Sequence, residues 1–403
     1  MVMLSTNKKL SRAKQVAFGL AMIFVAIPVR SNESVVEFEL PEFKEVLIVP
    51  VTVANKERLF LLDTGASTMF LHETLRSRLG KSIASYPVNG ALGREQREDF
   101  FDAPVVEIGD RSWHCPLEVG CGSLDPFRQA TGRDLEGILG IPFFMDNVVQ
   151  LDFDGRRLRV LQPDGSPDAD WGTAVPVTFT DTGLPTIELE LPDGQREVCV
   201  VDTGYTGVIS LSWDVYLRVS NGKFITPKKS GALATISGIH SVPQGRISKI
   251  ALAEYSHADL TAESSTSAWS RIGLRYLNRF RVTFDMKRKT IYFAPGKDFE
   301  KPERHDSPGL GFIRRGEDTV LVGLQQDTPA ERAGLILGDH LISVAKQPIK
   351  GLPIAQIGWM FSNAAKAANI VTLEIKRGET VKTINVEIPR VKAPVTSNGF
   401  PKP

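Results

Sequence analysis

Two stretches of this chain carry one pattern. Leu59-Phe60-Leu61-Leu62 runs into Asp63-Thr64-Gly65-Ala66-Ser67, and Val198-Cys199-Val200-Val201 runs into Asp202-Thr203-Gly204-Tyr205-Thr206. A short unbroken apolar run predicts a strand buried on both faces, the more so where β-branched Val is present. The Gly allows a tight turn that leaves each Asp at its strand's end, semi-buried and held by backbone. Two such Asp residues in one chain can be brought face to face. Carboxylates at contact distance cannot both ionise, so they share a proton, one poised as base and the other as acid. Such a pair can activate a water without a covalent intermediate.

At ordinary composition about a tenth of one Asp-Thr-Gly is expected in a chain of this length, and three occur. The third, Asp181-Thr182-Gly183, follows the alternating Val177-Thr178-Phe179-Thr180 and precedes Leu184-Pro185. It lacks the apolar lead-in and is predicted to be a turn. Taken singly, Asp63 and Asp202 also have a plain reading as turn residues. Asp202 is the weaker signal, because Tyr205-Thr206-Gly207 follows it. The surroundings repeat as well. Val46–Val53 is strand-like, Ala54-Asn55-Lys56-Glu57 a hairpin, and Arg58–Leu62 delivers Asp63; later Thr186–Leu191, Pro192-Asp193-Gly194 and Glu197–Val201 deliver Asp202. Val149, Leu151, Asp152, Leu158 and Val160 match Val282, Phe284, Asp285, Ile291 and Phe293 without a gap. The tail offset is 282 − 149 = 133, against 202 − 63 = 139 for the Asp motifs. A period of this kind indicates a duplication.

These residues resemble the pepsin–retropepsin family of aspartic proteases, whose signature is Asp-Thr-Gly behind two apolar residues. The resemblance implies that Asp63 and Asp202 are the catalytic pair and that Thr64 and Thr203 cross-link the two loops beneath it. Gly65 and Gly204 give the turns. Gly137-Ile138-Leu139-Gly140 looks like the family's second signature, a strand threading beside the Asp loop, and Arg271-Ile272-Gly273 stands in the same place in the second half. Both Asp residues lie in one chain, so a monomer can build the site. The family closes a hairpin flap over its substrate; Asn89-Gly90-Ala91-Leu92-Gly93 and Ile236-Ser237-Gly238-Ile239-His240 are the candidates, each equally readable as an ordinary turn. Two residues depart from the pattern. Ala66 and Tyr205 replace the Ser that follows the motif in pepsins, and losing that donor should raise the pair's apparent pKa values, giving a mildly acidic optimum. Arg271 replaces an apolar residue and loosens the second match.

Residues 1–31 read as a targeting segment. Lys8, Lys9, Arg12 and Lys14 precede an apolar run of fourteen residues, Val16–Val29 (29 − 16 + 1). A membrane span needs about 20, so a signal-peptide core fits better, with an uncleaved N-terminal anchor as the alternative. Either way the protein is expected to be exported, periplasmic or secreted. The whole chain has 42% apolar and 24% charged residues, ordinary for globular protein, and its net charge of +1 argues against a nucleic-acid or membrane-surface partner. The three Cys make neither a disulfide scaffold nor a metal site. Cys115 and Cys121 are close enough in sequence to pair in an oxidising compartment. His72, His114 and His240 show no ligand spacing. No metal or cofactor is implied.

Beyond residues 298–307, a stretch rich in Pro, Gly and charge that reads as a linker, the class changes. Gly309-Leu310-Gly311-Phe312 opens a unit containing Val320–Leu324. Thr328, Pro329, Glu331 and Gly334 form a capped short helix, and a second helix follows over Ile354–Ala368 with Ile354, Ile357 and Phe361 on one face. This order closely resembles a PDZ domain. The resemblance implies that the loop at Gly309, Leu310, Gly311 and Phe312 receives a peptide's C-terminal carboxylate, and that the peptide adds as a strand against the helix bearing Ile354 and Ile357. The start of that helix offers no polar reader, so apolar ligand side chains are expected. Residues 391–403 read as a disordered tail.

The expected architecture is therefore mainly β. Two retropepsin-like lobes, residues 33–165 and 172–297, form a pseudo-two-fold unit, followed by a small α+β PDZ domain at residues 308–390. The expected function is an exported aspartic endopeptidase acting on protein or peptide substrates, with the PDZ domain recruiting substrate or gating activity. The rival is a retropepsin-like scaffold without turnover that binds peptides through its PDZ domain.

Overall fold

The structure, a computed structural model, describes residues 34–41, 46–89, 95–162, 167–235, 238–303, 309–324 and 327–388. The expected targeting segment, the expected tail, the flap-candidate tips at 90–94 and 236–237, and the end of the expected linker lie outside them. Among the described residues strands far outnumber helices, which makes the fold mainly β.

The strand that delivers Asp63 is Lys56–Leu62. It is folded back on Ile48–Val53 by Ala54 and Asn55, both at positive φ (51° and 61°), the geometry a two-residue hairpin turn needs. Phe60, Leu61 and Leu62 are almost wholly buried, the first and last in the main core and Leu61 in a second cluster on the opposite face. Burial of each contributes about 1.5–3 kcal/mol, which is why no polar residue interrupts the run. Leu135–Leu139 lies parallel beside this strand, pairing Ile138 with Leu61 and Leu139 with Leu62, inside a nine-stranded sheet.

An eight-stranded sheet repeats the arrangement. Arg196–Val201 pairs antiparallel with Pro185–Glu190 and parallel with Ser270–Ile272, setting Arg271 beside Val200 and Ile272 beside Val201. Asp181-Thr182-Gly183 forms the exposed turn expected of it, with the Gly183 amide donating to Thr180 O at 2.9 Å.

A third, six-stranded sheet joins the two halves. Within it Val148–Asp152 pairs antiparallel with Phe280–Asp285: Val149 faces Phe284, Gln150 faces Thr283 and Leu151 faces Val282. The four apolar residues are counterparts in the repeat, so the pairing exchanges them about the buried Gln150–Thr283 bond (3.0 Å). One apolar core continues through all three sheets, from Leu40 to Phe293.

Three expectations need correction. Cys115 and Cys121 are free thiols. Cys121 lies in strand Val119–Gly122 and Cys115 just after the edge strand Arg111–His114, with five strands between the two in the sheet, so six residues of sequence separation do not make them neighbours. The expected linker is docked as far as Glu303. Phe299 packs its ring against Tyr255, His257 and Phe280, and buried Glu303 accepts hydrogen bonds from Arg246 (2.7 Å) and from the amide and hydroxyl of Thr261 (2.6 and 2.9 Å). Its Pro, Gly and charge conceal one aromatic and one carboxylate that have partners. The third correction concerns Ile357. It is buried in the separate core of the C-terminal domain and supports the helix Ile354–Ala367 instead of facing a ligand.

That domain has its own six-stranded sheet, with Leu310–Arg315 at one edge, then Asp318–Leu324, His340–Val344, Ile370–Arg377 and Thr380–Glu387, and with the short Gln347–Pro348 paired to His340–Val344. Among the described residues no helix is long and apolar enough to cross a membrane.

Candidate active site

Each Asp-Thr-Gly loop leaves its strand along the same path. The Asp63 amide donates to Leu139 O and the Asp202 amide to Ile272 O, both at 2.9 Å. The Ala66 and Tyr205 amides return to the Asp63 and Asp202 carbonyls, both at 3.3 Å, and Ile141 and Leu274 donate to the Ala66 and Tyr205 carbonyls, both at 2.8 Å. The relaxed second motif therefore keeps the backbone geometry of the first.

The loops then lock together. The Thr64 and Thr203 amides each donate to the other's hydroxyl at 3.0 Å. Thr64 Oγ1 donates on to Val201 O (2.5 Å) and Thr203 Oγ1 to Leu62 O (2.9 Å), with both side chains wholly buried. Above this bracket each carboxyl sits over the other loop's glycine. A Cβ on Gly65 would meet the Asp202 carboxyl at 2.6 Å, and one on Gly204 would collide with the carboxyl of Asp63. Any larger residue at either position would force the two acids apart. Gly65 and Gly204 are thus required less for the turn than for the close approach.

The local electrostatics differ between the two acids. Burial pushes the Asp63 carboxyl well above the usual carboxylate range, and the hydrogen-bonded Asp202 carboxyl pushes it further; the Gly65 amide (2.7 Å) and the Arg271 charge pull it back in part. The upward direction agrees with the expectation, but its main cause is desolvation and not the missing hydroxyl at Ala66. Asp202 accepts two backbone N–H groups, from Gly204 (3.0 Å) and Tyr205 (2.9 Å). Arg271 Nε stands 3.7 Å from its Oδ2. Sequence reading treated Arg271 as a flaw in the repeat, whereas the fold sets its charge beside the acid pair. Its counterpart Ile138 instead joins an apolar cluster with Val46, Leu61, Phe70 and Leu124, to which Ala66 and Phe127 are added. Tyr205, the other departure, turns its hydroxyl away to donate to Glu263 (2.8 Å), which also accepts from Gln244 (2.9 Å).

Residues 49–143 match the family model of an aspartyl protease. The match supports a protease, hence a hydrolase. It contains Asp63, the parallel strand Leu135–Leu139 and the helix start at Ile141, and it ends well before Asp202. No curated protein matches the chain. Among the described residues no group of three or more His, Cys, Asp or Glu is set to hold a metal ion.

The hairpin candidates are strands Ala84–Asn89 with Glu95–Phe101, and Ile225–Thr235 with Gly238–Leu252. Their tips fall outside the described residues. Of the C-terminal residues singled out from sequence, Gly309 is buried at φ +76°, Gly311 backs onto Gly323, and Leu310, Phe312 and Ile354 are half-buried on the side of strand Leu310–Arg315 and helix Ile354–Ala367. The fold brings one further element to that side that sequence reading missed. Helix Asp125–Thr131 runs against both Leu310–Arg315 and Ile354–Ala367, and also beside strand Ile225–Thr235. Its Phe127 packs on the apolar cluster at Ile138, and its C-terminal Gly132 abuts Ile354, where a Cβ would come within 3.3 Å.

Proposed function

We propose that the chain is an exported aspartic endopeptidase of two retropepsin-like lobes, in which Asp63 and Asp202 together activate water against a peptide bond. The observation that carries this reading is the mutual seating of each carboxyl over the other loop's glycine, above the Thr64–Thr203 bracket. That geometry supports one proton shared between two carboxyls, as general acid–base hydrolysis requires. The N-terminal apolar run supports export. The C-terminal unit, read as a PDZ domain, would bind peptide C-termini by strand addition at Leu310–Arg315, an edge strand of its sheet.

Cleavage of unfolded protein between about pH 4 and 7, where a raised carboxyl pair should be half-protonated, tests the reading. Loss of cleavage in both Asp63→Asn and Asp202→Asn is the expected outcome. Loss only in Asp63→Asn would mean that two chains pair their first lobes. No cleavage by the folded wild-type chain, with or without peptide, would favour the scaffold reading.

For the PDZ unit, gating of the protease is favoured over simple recruitment by helix Asp125–Thr131. It touches the expected peptide groove, the apolar cluster at Ile138 and Ala66 through Phe127, and one strand of a flap candidate. A peptide entering the groove would have to move a helix that also packs on the Ile138–Ala66 cluster beside the Asp63 loop.

A further inference from the structure

The two acids are related by the repeat, yet their surroundings are not. Asp202 accepts two backbone N–H groups and has the Arg271 guanidinium 3.7 Å from its outer oxygen. Asp63 accepts one backbone N–H, from Gly65, and the residue that corresponds to Arg271 on its side is the apolar Ile138. Arg271 is buried on the central strand Ser270–Ile272, and its Nη2 donates to Ser267 Oγ at 2.9 Å, so its charge is held in place. We propose that Arg271 is a positioning residue that breaks the symmetry of the pair, holding Asp202 as the ionised base and leaving the shared proton on Asp63.

This assignment rests on the protease reading for its chemistry. Water attacks the scissile carbonyl carbon and gives its proton to Asp202, while the carbonyl oxygen takes the proton of Asp63. The resulting diol collapses as its C–N bond breaks; Asp202 passes its proton to the leaving nitrogen, and Asp63 recovers one from a diol hydroxyl. Both acids end as they began.

The other charged groups near the pair do not oppose this order. Glu263, on strand Tyr255–Ser265, accepts hydrogen bonds at both carboxyl oxygens, from Tyr205 and Gln244, and burial raises its pKa against the pull of those bonds and of Arg275. Arg275, 3.5 Å from Glu303, adds positive charge that acts on Tyr205 and Glu263. The raised pKa of Asp63 agrees with a proton held there.

The test is a carboxyl-carbon NMR titration of the full chain without substrate, the two signals assigned by their loss in Asp63→Asn and Asp202→Asn. In the wild type, Asp202 is expected to ionise at lower pH than Asp63. Arg271→Leu should narrow the separation between the two midpoints, because it removes the charge beside one acid, and Arg271→Lys should restore most of the difference. The acidic limb of the cleavage profile should move by the same amount in the same variants. Arg271→Gln keeps a hydrogen-bonding amide at about the position of the Arg271 Nε without charge and provides the comparison should the Leu variant fail to fold. Equal midpoints, the reverse order, or an Asp202 midpoint that ignores loss of the charge would overturn the proposal. The titration needs no turnover. A chain that titrates in this order yet cleaves nothing would refute the protease reading and leave this one standing.

Discussion

Thr64 and Thr203 exchange backbone amides, each hydroxyl accepting the other residue's N–H at 3.0 Å while donating to a carbonyl of the opposite strand. Neither side chain has any exposed surface. All four bonds cross between the two halves of the repeat. The separation of the acids is therefore set by a closed set of satisfied polar groups.

Thr203→Val should break that set at nearly constant volume. It strands the Thr64 amide and the Leu62 carbonyl arrangement in a dry site, at a cost of about 1–3 kcal/mol per unsatisfied group. Thr64→Val should cost a similar amount. Because the residues share their bonds, the double variant should lose less than the sum, by about 0.5–3 kcal/mol. Denaturant unfolding of the three variants measures this; strictly additive losses would mean that the bracket does not act as a unit.

Asp63 sets the alkaline side of the pH response. Its folded pKa is raised, so its contribution to stability is fully present below the unfolded value and is lost as pH rises through the folded one. Asp63→Asn removes the cost of ionising a buried acid. The variant should therefore be more stable than the wild type at pH 8, with the advantage fading as the pH falls below the Asp63 midpoint. Thermal melts at pH 5 and 8 test this. A constant difference between the two proteins would show that Asp63 is not the group that titrates. In the wild type, cleavage should decline over the same rise in pH that deprotonates Asp63.

His257 provides an acid limit of a different origin. It is buried among Tyr276, Phe280 and Phe299, and burial together with the Arg279 charge lowers its pKa to about 4 from 6.5. A base with a lowered folded pKa stabilises the fold above its unfolded value, and that stability drains away as pH falls from 6.5 toward 4. The full shift corresponds to about 3 kcal/mol. His257→Phe keeps a ring in the cluster and cannot titrate. Its unfolding free energy should depend less on pH across that window, by up to this amount. If both proteins lose stability equally between pH 7 and 4.5, His257 is not responsible. The docked segment around Phe299 makes the point functional, because His257 Nε2 lies 3.2 Å from the Phe299 carbonyl and acid should loosen that segment first.

The acid pair was legible because its requirements are local. An apolar run buried on both faces, then a glycine, can be read without knowing what lies opposite. What lies opposite was not legible. Arg271 breaks an apolar pattern, and a pattern break says nothing of what the new charge faces; only the parallel register of Ser270–Ile272 with Arg196–Val201 brings it to Asp202. The contrast with Ile138 at the matching position was the available clue. Cys115 and Cys121 show the converse, residues near in sequence that the order of a nine-stranded sheet separates. Glu303 and Phe299 were hidden by the solvated character of their neighbours, since composition averages over the two side chains that dock. Ile357 shares a helical face with Ile354, but one turn farther along the helix that face has already entered the core.

Helix Asp125–Thr131 carries the last prediction. Phe127 ties it to the cluster at Ile138 and Ala66, while its other side meets Leu310–Arg315 and Ile354–Ala367. A peptide with a free, apolar C-terminus that adds to strand Leu310–Arg315 competes with it for that side. Under gating, such a peptide should slow hydrogen exchange in Leu310–Arg315, speed exchange in Asp125–Thr131, and change the cleavage rate at the same peptide concentration. Gly132→Val should mimic the peptide. Gly132 is left-handed at φ +67°, a conformation that costs a residue with a side chain about 1–2 kcal/mol, and the new Cβ would press on Ile354. The variant should show fast exchange in the helix without peptide and a cleavage rate that peptide no longer alters. Protection of Leu310–Arg315 with the helix and the rate both unmoved would reduce the C-terminal domain to recruitment. A peptide ending with Ser or Thr two residues from its C-terminus should bind more weakly than an apolar one, because the helix begins with Pro353, Ile354 and Ala355 and presents no polar side chain there.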